Sequence, residues 1–344
     1  MSNFKARNVK TAVSSVLISL AIYLIASFMI VMLIYEGLFA RAEEYEYHSF
    51  LCYEDMNSYP VSDISFDSRG FELFGKVYGD NKDKLVILCH SKGGTGEDML
   101  AEVEFFIKNG YSAMVFDLSG HGKSGGNSQV GLYQPVYDLE NAVNFAKGQG
   151  FEELYLYGIG VGGYASAICS DIDGVKAVAS VSAFSSISTL TLQYATENMS
   201  IFGYLEYPIM MLYQYLVFGS AINDDAVSAI NTATVPVAII NGTADETILY
   251  DNAALINSSS EITNANVIYK TVENGRHNSL MRSEAANELL DKFNEEAYEL
   301  YNSYGGSVPT AEIEALYNSY SRVEMSELNT EIMNDILSMF NGAE

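Results

Sequence analysis

Tryptophan is absent from this chain, and cysteine, proline and basic residues are all scarce. The three cysteines, Cys52, Cys89 and Cys169, are too few and too far apart for a disulfide framework or a cysteine-built zinc site. Lys and Arg number 18 against 44 Asp and Glu, a formal net charge of -26. That shortage of bases argues against a nucleic-acid partner, because phosphate binding needs clustered Lys and Arg. It also argues against attachment to anionic lipid through a basic surface. With no Trp but 25 Tyr, aromatic contacts are expected to be phenolic. Hydrophobic residues make up 49% of the 344, too many for a disordered chain and enough for one large domain or two small ones.

Charge is also missing locally. Thr11 to Tyr35 carries none, while Lys5, Arg7 and Lys10 precede it and Glu43, Glu44 and Glu46 follow it. A helix of this length, at about 1.5 Å per residue, exceeds the roughly 30 Å hydrocarbon core of a bilayer. A buried core helix rarely runs so far without a charge. A cleaved signal peptide, with Ala40-Arg41-Ala42 as its A-x-A-like site, would carry an apolar region of only about 7–15 residues. Residues 11–35 are therefore expected to be a retained, single-pass membrane anchor. The charge asymmetry places residues 1–10 in the cytoplasm and the remainder outside it.

Beyond the anchor, residues 36–60 read as a polar, Tyr-rich stalk, 61–303 as the main domain and 304–344 as a helical extension. Two alternating segments, 61–67 and 71–78, flank a Ser68-Arg69-Gly70 turn and read as an antiparallel pair. Continuous apolar runs follow at Leu85–Cys89 and Ser112–Phe116, of the kind that suits strands buried on both faces. Further strands are expected at 154–157, 175–181, 235–240 and 267–272, with helices at about 97–108, 136–147 and 164–168. This alternation predicts a mainly parallel sheet with helices on both faces, its ligands lying at the carboxyl ends of the strands. Residues 185–230, rich in Tyr and Met, read as a helical cap. Leu328, Ile332, Ile336 and Phe340 recur every four residues and predict a terminal amphipathic helix that packs on the domain.

The loops after the strands are the ones expected to carry chemistry. They read His90-Ser91-Lys92-Gly93-Gly94, Asp117-Leu118-Ser119-Gly120-His121-Gly122-Lys123-Ser124-Gly125, Gly158-Ile159-Gly160-Val161-Gly162-Gly163, Asn241-Gly242-Thr243-Ala244-Asp245 and Glu273-Asn274-Gly275-Arg276-His277. In this order and spacing the chain, over about residues 61–300, resembles the α/β-hydrolase superfamily, in its serine-aminopeptidase-like (S33), BEM46-like and dienelactone-hydrolase-like branch. The resemblance implies an α/β-hydrolase fold with a cap between the sixth and seventh strands. It makes Asp245 the triad carboxylate, His277 the base, and the Val161 N–H and the Ser91-Lys92 loop the oxyanion donors. It implies no cofactor and no metal.

The nucleophile position, the centre of G-x-S-x-G, is Gly160. Glycine cannot attack a carbonyl, and loss of the serine from a comparable triad lowers kcat by about 10⁶. It does relieve the strain of the elbow, on the order of 1–3 kcal/mol. Ser91 could face the pocket, while Ser166 lies on the helix after the elbow away from its tip, Cys169 further along that helix and Cys89 inside a strand, and each reads as structural. His90 and His121 read as loop-shaping residues without metal-ligand spacing, Asp117 as bonded within its own loop, and His48 as exposed on the stalk. The expectation is a membrane-tethered pseudoenzyme that binds a small acyl-type ligand or a protein partner. The alternatives are an active ester or amide hydrolase using His277 and Asp245 with an unrecognised nucleophile or activated water, and an adhesion or structural module.

Overall fold

The computed structural model describes residues 2–343. Its centre is an eight-stranded sheet built from β1 (Val61–Ser68), β2 (Phe71–Tyr78), β3 (Lys84–Cys89), β4 (Ser112–Phe116), β5 (Glu153–Ile159), β6 (Val175–Val181), β7 (Val237–Gly242) and β8 (Val267–Val272). The strand order is β1-β2-β4-β3-β5-β6-β7-β8. β1 and β2 pair antiparallel, as does β2 with β4, and the six strands from β4 to β8 in that order run parallel.

The apolar runs become the central strands because both faces of the sheet are covered. In β3, Leu85, Ile87 and Cys89 enter one core, while Val86 and Leu88 enter the other. This is the period-2 division of side chains across a strand. In the first core lie α3 (Gln134–Gly148), α4 (Val161–Ile168) and the end of α1 (Ser2–Leu38), which contributes Val31 and Tyr35 and is followed by Phe39. In the second lie α2 (Leu100–Lys108) and a C-terminal helix, α11 (Thr330–Asn341). Leu328, Ile332, Ile336 and Phe340 are all buried, and the Phe340 ring stacks on Phe106 at 5.7 Å. Asn329 caps α11 by accepting from the Ile332 N–H. The terminal helix is therefore part of the core.

Between β6 and β7 the chain forms α5 (Ile187–Met199), α6 (Gly203–Phe218) and α7 (Ala226–Thr232). After β8 come α8 (Glu284–Ser303), α9 (Thr310–Asn318) and α10 (Arg322–Met325). The 20-residue α8 was not among the sequence expectations. It has a polar exposed face, and Ser283 caps it through the Ala286 N–H.

Residues 43–60 differ from the stalk expectation, for they lie along the domain. Cys52 and Met56 are buried, Leu51 N–H donates to Ser326 Oγ at 2.9 Å, and Tyr45 Oη donates to Asp98 at 3.0 Å. His48 is half-buried beside Glu97, not exposed. Arg41 donates to the carbonyls of Ser124 and Gly126 at 2.9 and 2.7 Å, and Ala42 bridges to His121. Hydrogen bonds to groups distant in sequence supply the anchoring, which polarity alone does not reveal. The chain leaving α1 is thus held against the loop after β4, and α1 itself packs on α6. Its segment Thr11–Leu38 is long and apolar enough to cross a membrane, with a mean hydropathy of 2.7.

Candidate active site

Strand register brings the chemical loops together in pairs. Cys89 pairs with Gly158, so the loops after β3 and β5 leave the sheet side by side. Gly242 pairs with Val272, which does the same for the loops bearing Asp245 and His277. All four open at the carboxyl edge of the parallel strands.

Gly160 forms the elbow between β5 and α4, with φ 60 and ψ -117. That conformation is one an L side chain rarely adopts. Two residues on, a Cβ at Gly162 would overlap the Cys89 carbonyl, so the elbow needs glycine there to sit against the end of β3.

His277 Nδ1 donates to Asp245 Oδ2 at 2.8 Å, with Oδ1 at 3.1 Å. Asp245 Oδ1 also accepts from the N–H groups of Thr247 and Ile248 at 2.9 and 2.8 Å, which fixes the carboxylate. Both side chains are almost fully buried, at 5% and 1% exposure. With Nδ1–H committed to the carboxylate, Nε2 presents its lone pair to the cleft. What it faces is Ser91, whose Oγ lies 3.4 Å away.

Ser91 occupies the space that residue 160 leaves open. A Cβ built on Gly160 would overlap Ser91 Oγ, approach Ser91 Cβ to 3.3 Å and lie 3.0 Å from His277 Nε2. Ser91, expected to be structural, thus has its hydroxyl at the apex, 3.4 Å from the imidazole. The signal for this was the pairing of a serine after β3 with a glycine at the elbow, two positions 69 residues apart whose contact depends on strand register. The other candidates stay structural. Ser166 Oγ donates to the Gly162 carbonyl at 2.8 Å, and Cys89 and Cys169 are buried with thiols that burial pushes up.

His90 and His121 shape the loops. His90 Nε2 accepts from Leu118 N–H at 2.9 Å and its Nδ1 lies 2.7 Å from the Ser91 carbonyl. His121 Nε2 accepts from Gly93 N–H at 3.1 Å and Nδ1 lies 3.0 Å from the Ser119 carbonyl. Each imidazole is therefore neutral with Nδ1 protonated, and burial lowers their pKa values to about 4 and about 3. Asp117 accepts from the N–H groups of Gly96 and Lys123, both at 2.8 Å, and so ties the second loop to the first.

Ser91, Lys92 and His277 border a cleft of about 280 Å³, which Glu102, Met281 and Arg282 also line. Sequence reasoning did not single out Glu102 or Arg282. Glu102 lies on the buried face of α2, where an acid among Leu100, Val103 and Phe106 was the available clue. Burial pushes its carboxyl up, and Oε2 has no partner among the described residues. Arg282 donates to the carbonyls of Ser326 and Asp98 at 3.0 and 3.2 Å. Val161, the first residue of α4, follows the elbow, and Lys92 is exposed, with an ammonium that partial desolvation pushes down. A buried base oriented by a carboxylate and facing a hydroxyl is an arrangement able to run acyl transfer.

Among known proteins, the serine aminopeptidase S33 family model matches residues 80–202. No curated protein matches the chain in sequence. The esterase Pf2001 of Pyrococcus furiosus is similar in structure, with 18% identity, a TM-score of 0.53, and coverage of 77% of this chain and 98% of that one. Est1E of Butyrivibrio proteoclasticus, solved with ferulic acid bound, shares 19% identity at a TM-score of 0.51, covering 68% and 97%. The α/β hydrolase GrgF of Penicillium sp. sh18 shares 13% at a TM-score of 0.50, covering 70% and 97%. Sheet order, loop placement and these likenesses agree that the chain has the α/β-hydrolase fold.

Proposed function

We propose that this chain is a membrane-anchored serine hydrolase of acyl esters in which Ser91, and not residue 160, is the nucleophile. The observation that carries the reading is the 3.4 Å approach of Ser91 Oγ to His277 Nε2, in the volume that Gly160 vacates. Catalytic hydrogen bonds are often this long before substrate binds.

The chemistry follows from the atoms. Ser91 Oγ attacks the ester carbonyl carbon while His277 Nε2 takes its proton. The tetrahedral oxyanion is held by the N–H of Val161, at the positive end of α4, and by the N–H of Lys92, next in chain to the nucleophile. Collapse breaks the carbon–oxygen bond to the leaving alcohol, which receives the proton from His277. Water then adds to the acyl-Ser91 ester by the same route in reverse, releasing the acid. Asp245 keeps the imidazole in its working tautomer and stabilises the imidazolium.

A second reading is favoured by Gly160 itself: the chain is a pseudoenzyme that retains the pocket to bind an acyl ligand or a protein. The two readings separate on p-nitrophenyl butyrate turnover by the full chain in detergent. The hydrolase reading expects Ser91→Ala to lower kcat by about 10⁶. No turnover above that of Ser91→Ala would leave the binding reading standing. Lys5, Arg7 and Lys10 before the apolar helix, against Glu43, Glu44 and Glu46 after it, support a single span with the N-terminus in the cytoplasm and the catalytic domain outside.

A further inference from the structure

The helical insertion does not lie over the sheet alone; its α5–α6 hairpin runs down the side of α1. Tyr213 of α6 packs on Tyr35 at 4.8 Å and on Phe28 at 6.1 Å. One to two turns earlier in α6, Glu206 accepts from Tyr23 Oη at 2.8 Å and from Ser27 Oγ. The two helices therefore run side by side in the same direction, with the start of α6 pointing away from the sheet. At about 1.5 Å per residue, Tyr23 lies about 18 Å along α1 from Tyr35, the last residue before Glu36. That distance reaches past the middle of a roughly 30 Å hydrocarbon core.

The hairpin is dressed for that environment. From Asn198 to Phe218 its only charged residue is Glu206, which is bonded to α1. Ile201, Phe202, Tyr204 and Leu205 at the tip are 62–73% exposed, and Leu212 and Leu216 continue the same face of α6. In water such a face would be a liability. Beside an apolar helix able to span a bilayer, it is continuous with that helix's own lipid-facing surface.

Between the hairpin and α1 lies a second cavity, of about 520 Å³, walled mostly by apolar groups including Ile30, Ile34, Leu132 and Met210. Lys92 is the residue it shares with the cleft holding Ser91 and His277. The apolar cavity thus ends beside the residue next to the candidate nucleophile.

We infer that the tip of the α5–α6 hairpin is inserted in the bilayer beside α1, and that the cavity between them takes the acyl chain of a membrane lipid, whose ester then meets Ser91. The substrate class rests on the hydrolase reading; the insertion and the cavity do not. A lipid could pass from the bilayer into this cavity without crossing water.

The test uses the full Ser91→Ala chain in phosphatidylcholine vesicles, so that turnover plays no part. Because the chain has no native Trp, single indoles report position cleanly. Phe202→Trp at the tip should be quenched by acyl-brominated lipid to about the extent of Ile25→Trp in α1, while Tyr298→Trp on exposed α8 is not quenched. Quenching of Phe202→Trp no greater than that of Tyr298→Trp overturns the insertion. In parallel, phosphatidylcholine carrying a diazirine on its acyl chain should label Met210 or Leu132, which are buried in the protein and face the cavity. Labelling confined to outward positions such as Leu20 and Leu24 overturns the acyl-chain assignment. Success of both arms with no turnover by the Ser91 chain would refute the hydrolase reading alone.

Discussion

Gly160→Ala is the substitution that most sharply probes how the site is built. It adds one methyl group at φ 60, where the wild-type backbone already sits. A non-glycine residue held there costs roughly 1–3 kcal/mol. At about 2–4 °C per kcal/mol for domains of 150–250 residues, the melting temperature should fall by several degrees. The methyl also overlaps Ser91 Oγ and comes within 3.0 Å of His277 Nε2. Turning Ser91 about χ1 is the cheapest escape, and it carries the hydroxyl off the imidazole. Labelling by a fluorophosphonate probe, followed over time, should therefore slow by about 10³ or more, towards the residual rate of enzymes without a working triad. In the Ser91→Ala background, Gly160→Ser should partly restore labelling, because the overlapping oxygen has gone and a hydroxyl returns to the elbow. Unchanged labelling by Gly160→Ala, with the fold intact by circular dichroism, would refute the claim that Ser91 and residue 160 compete for one position.

Three further outcomes follow. Asp245→Asn keeps the shape of the side chain but loses the charge that sets the His277 tautomer, so kcat for p-nitrophenyl butyrate should drop by about 10⁴ with KM little changed. Phe340→Ala removes a fully buried ring that stacks on Phe106, and should cost about 3–5 kcal/mol in thermal or denaturant unfolding; a loss below about 1 kcal/mol would contradict the packing of α11 into the core. His90 and His121 are neutral in the fold, with values lowered to about 4 and about 3 from an ordinary 6.5. The unfolded chain therefore binds more protons below pH 6.5, so their contribution is full above that pH and falls as pH drops towards 4. His121→Gln should give a shallower fall in melting temperature from pH 7 to 4 than the wild-type chain.

How much of this was legible in the sequence differs from element to element. The central strands were readable because sheets covered on both faces demand continuous apolar runs such as Leu85-Val86-Ile87-Leu88-Cys89. The loops after them carried the resemblance that implied Asp245 as carboxylate and His277 as base, and the structure brings those two side chains to 2.8 Å. The period-four pattern of Leu328, Ile332, Ile336 and Phe340 gave the packed terminal helix. Ser91 was assigned a structural part because composition and spacing carry no rotamer. Its position at the apex depends on the register between β3 and β5 and on the space left by a missing Cβ. The packed course of residues 43–60 was hidden for a related reason: its ties are hydrogen bonds to distant groups such as Ser326 and Asp98. The Tyr- and Met-rich segment showed its apolar character, but not that Glu206 would bond to Tyr23 and Ser27 and so set the hairpin along α1.

The central claim is that a hydroxyl has moved to the loop after β3 while the base and its carboxylate stayed in place. Its most direct measurement is peptide mapping by mass spectrometry of the full chain after reaction with a fluorophosphonate. The account predicts one phosphonylated peptide, modified at Ser91, and its disappearance in His277→Ala. An adduct on any other residue, or no adduct from folded protein, would contradict it.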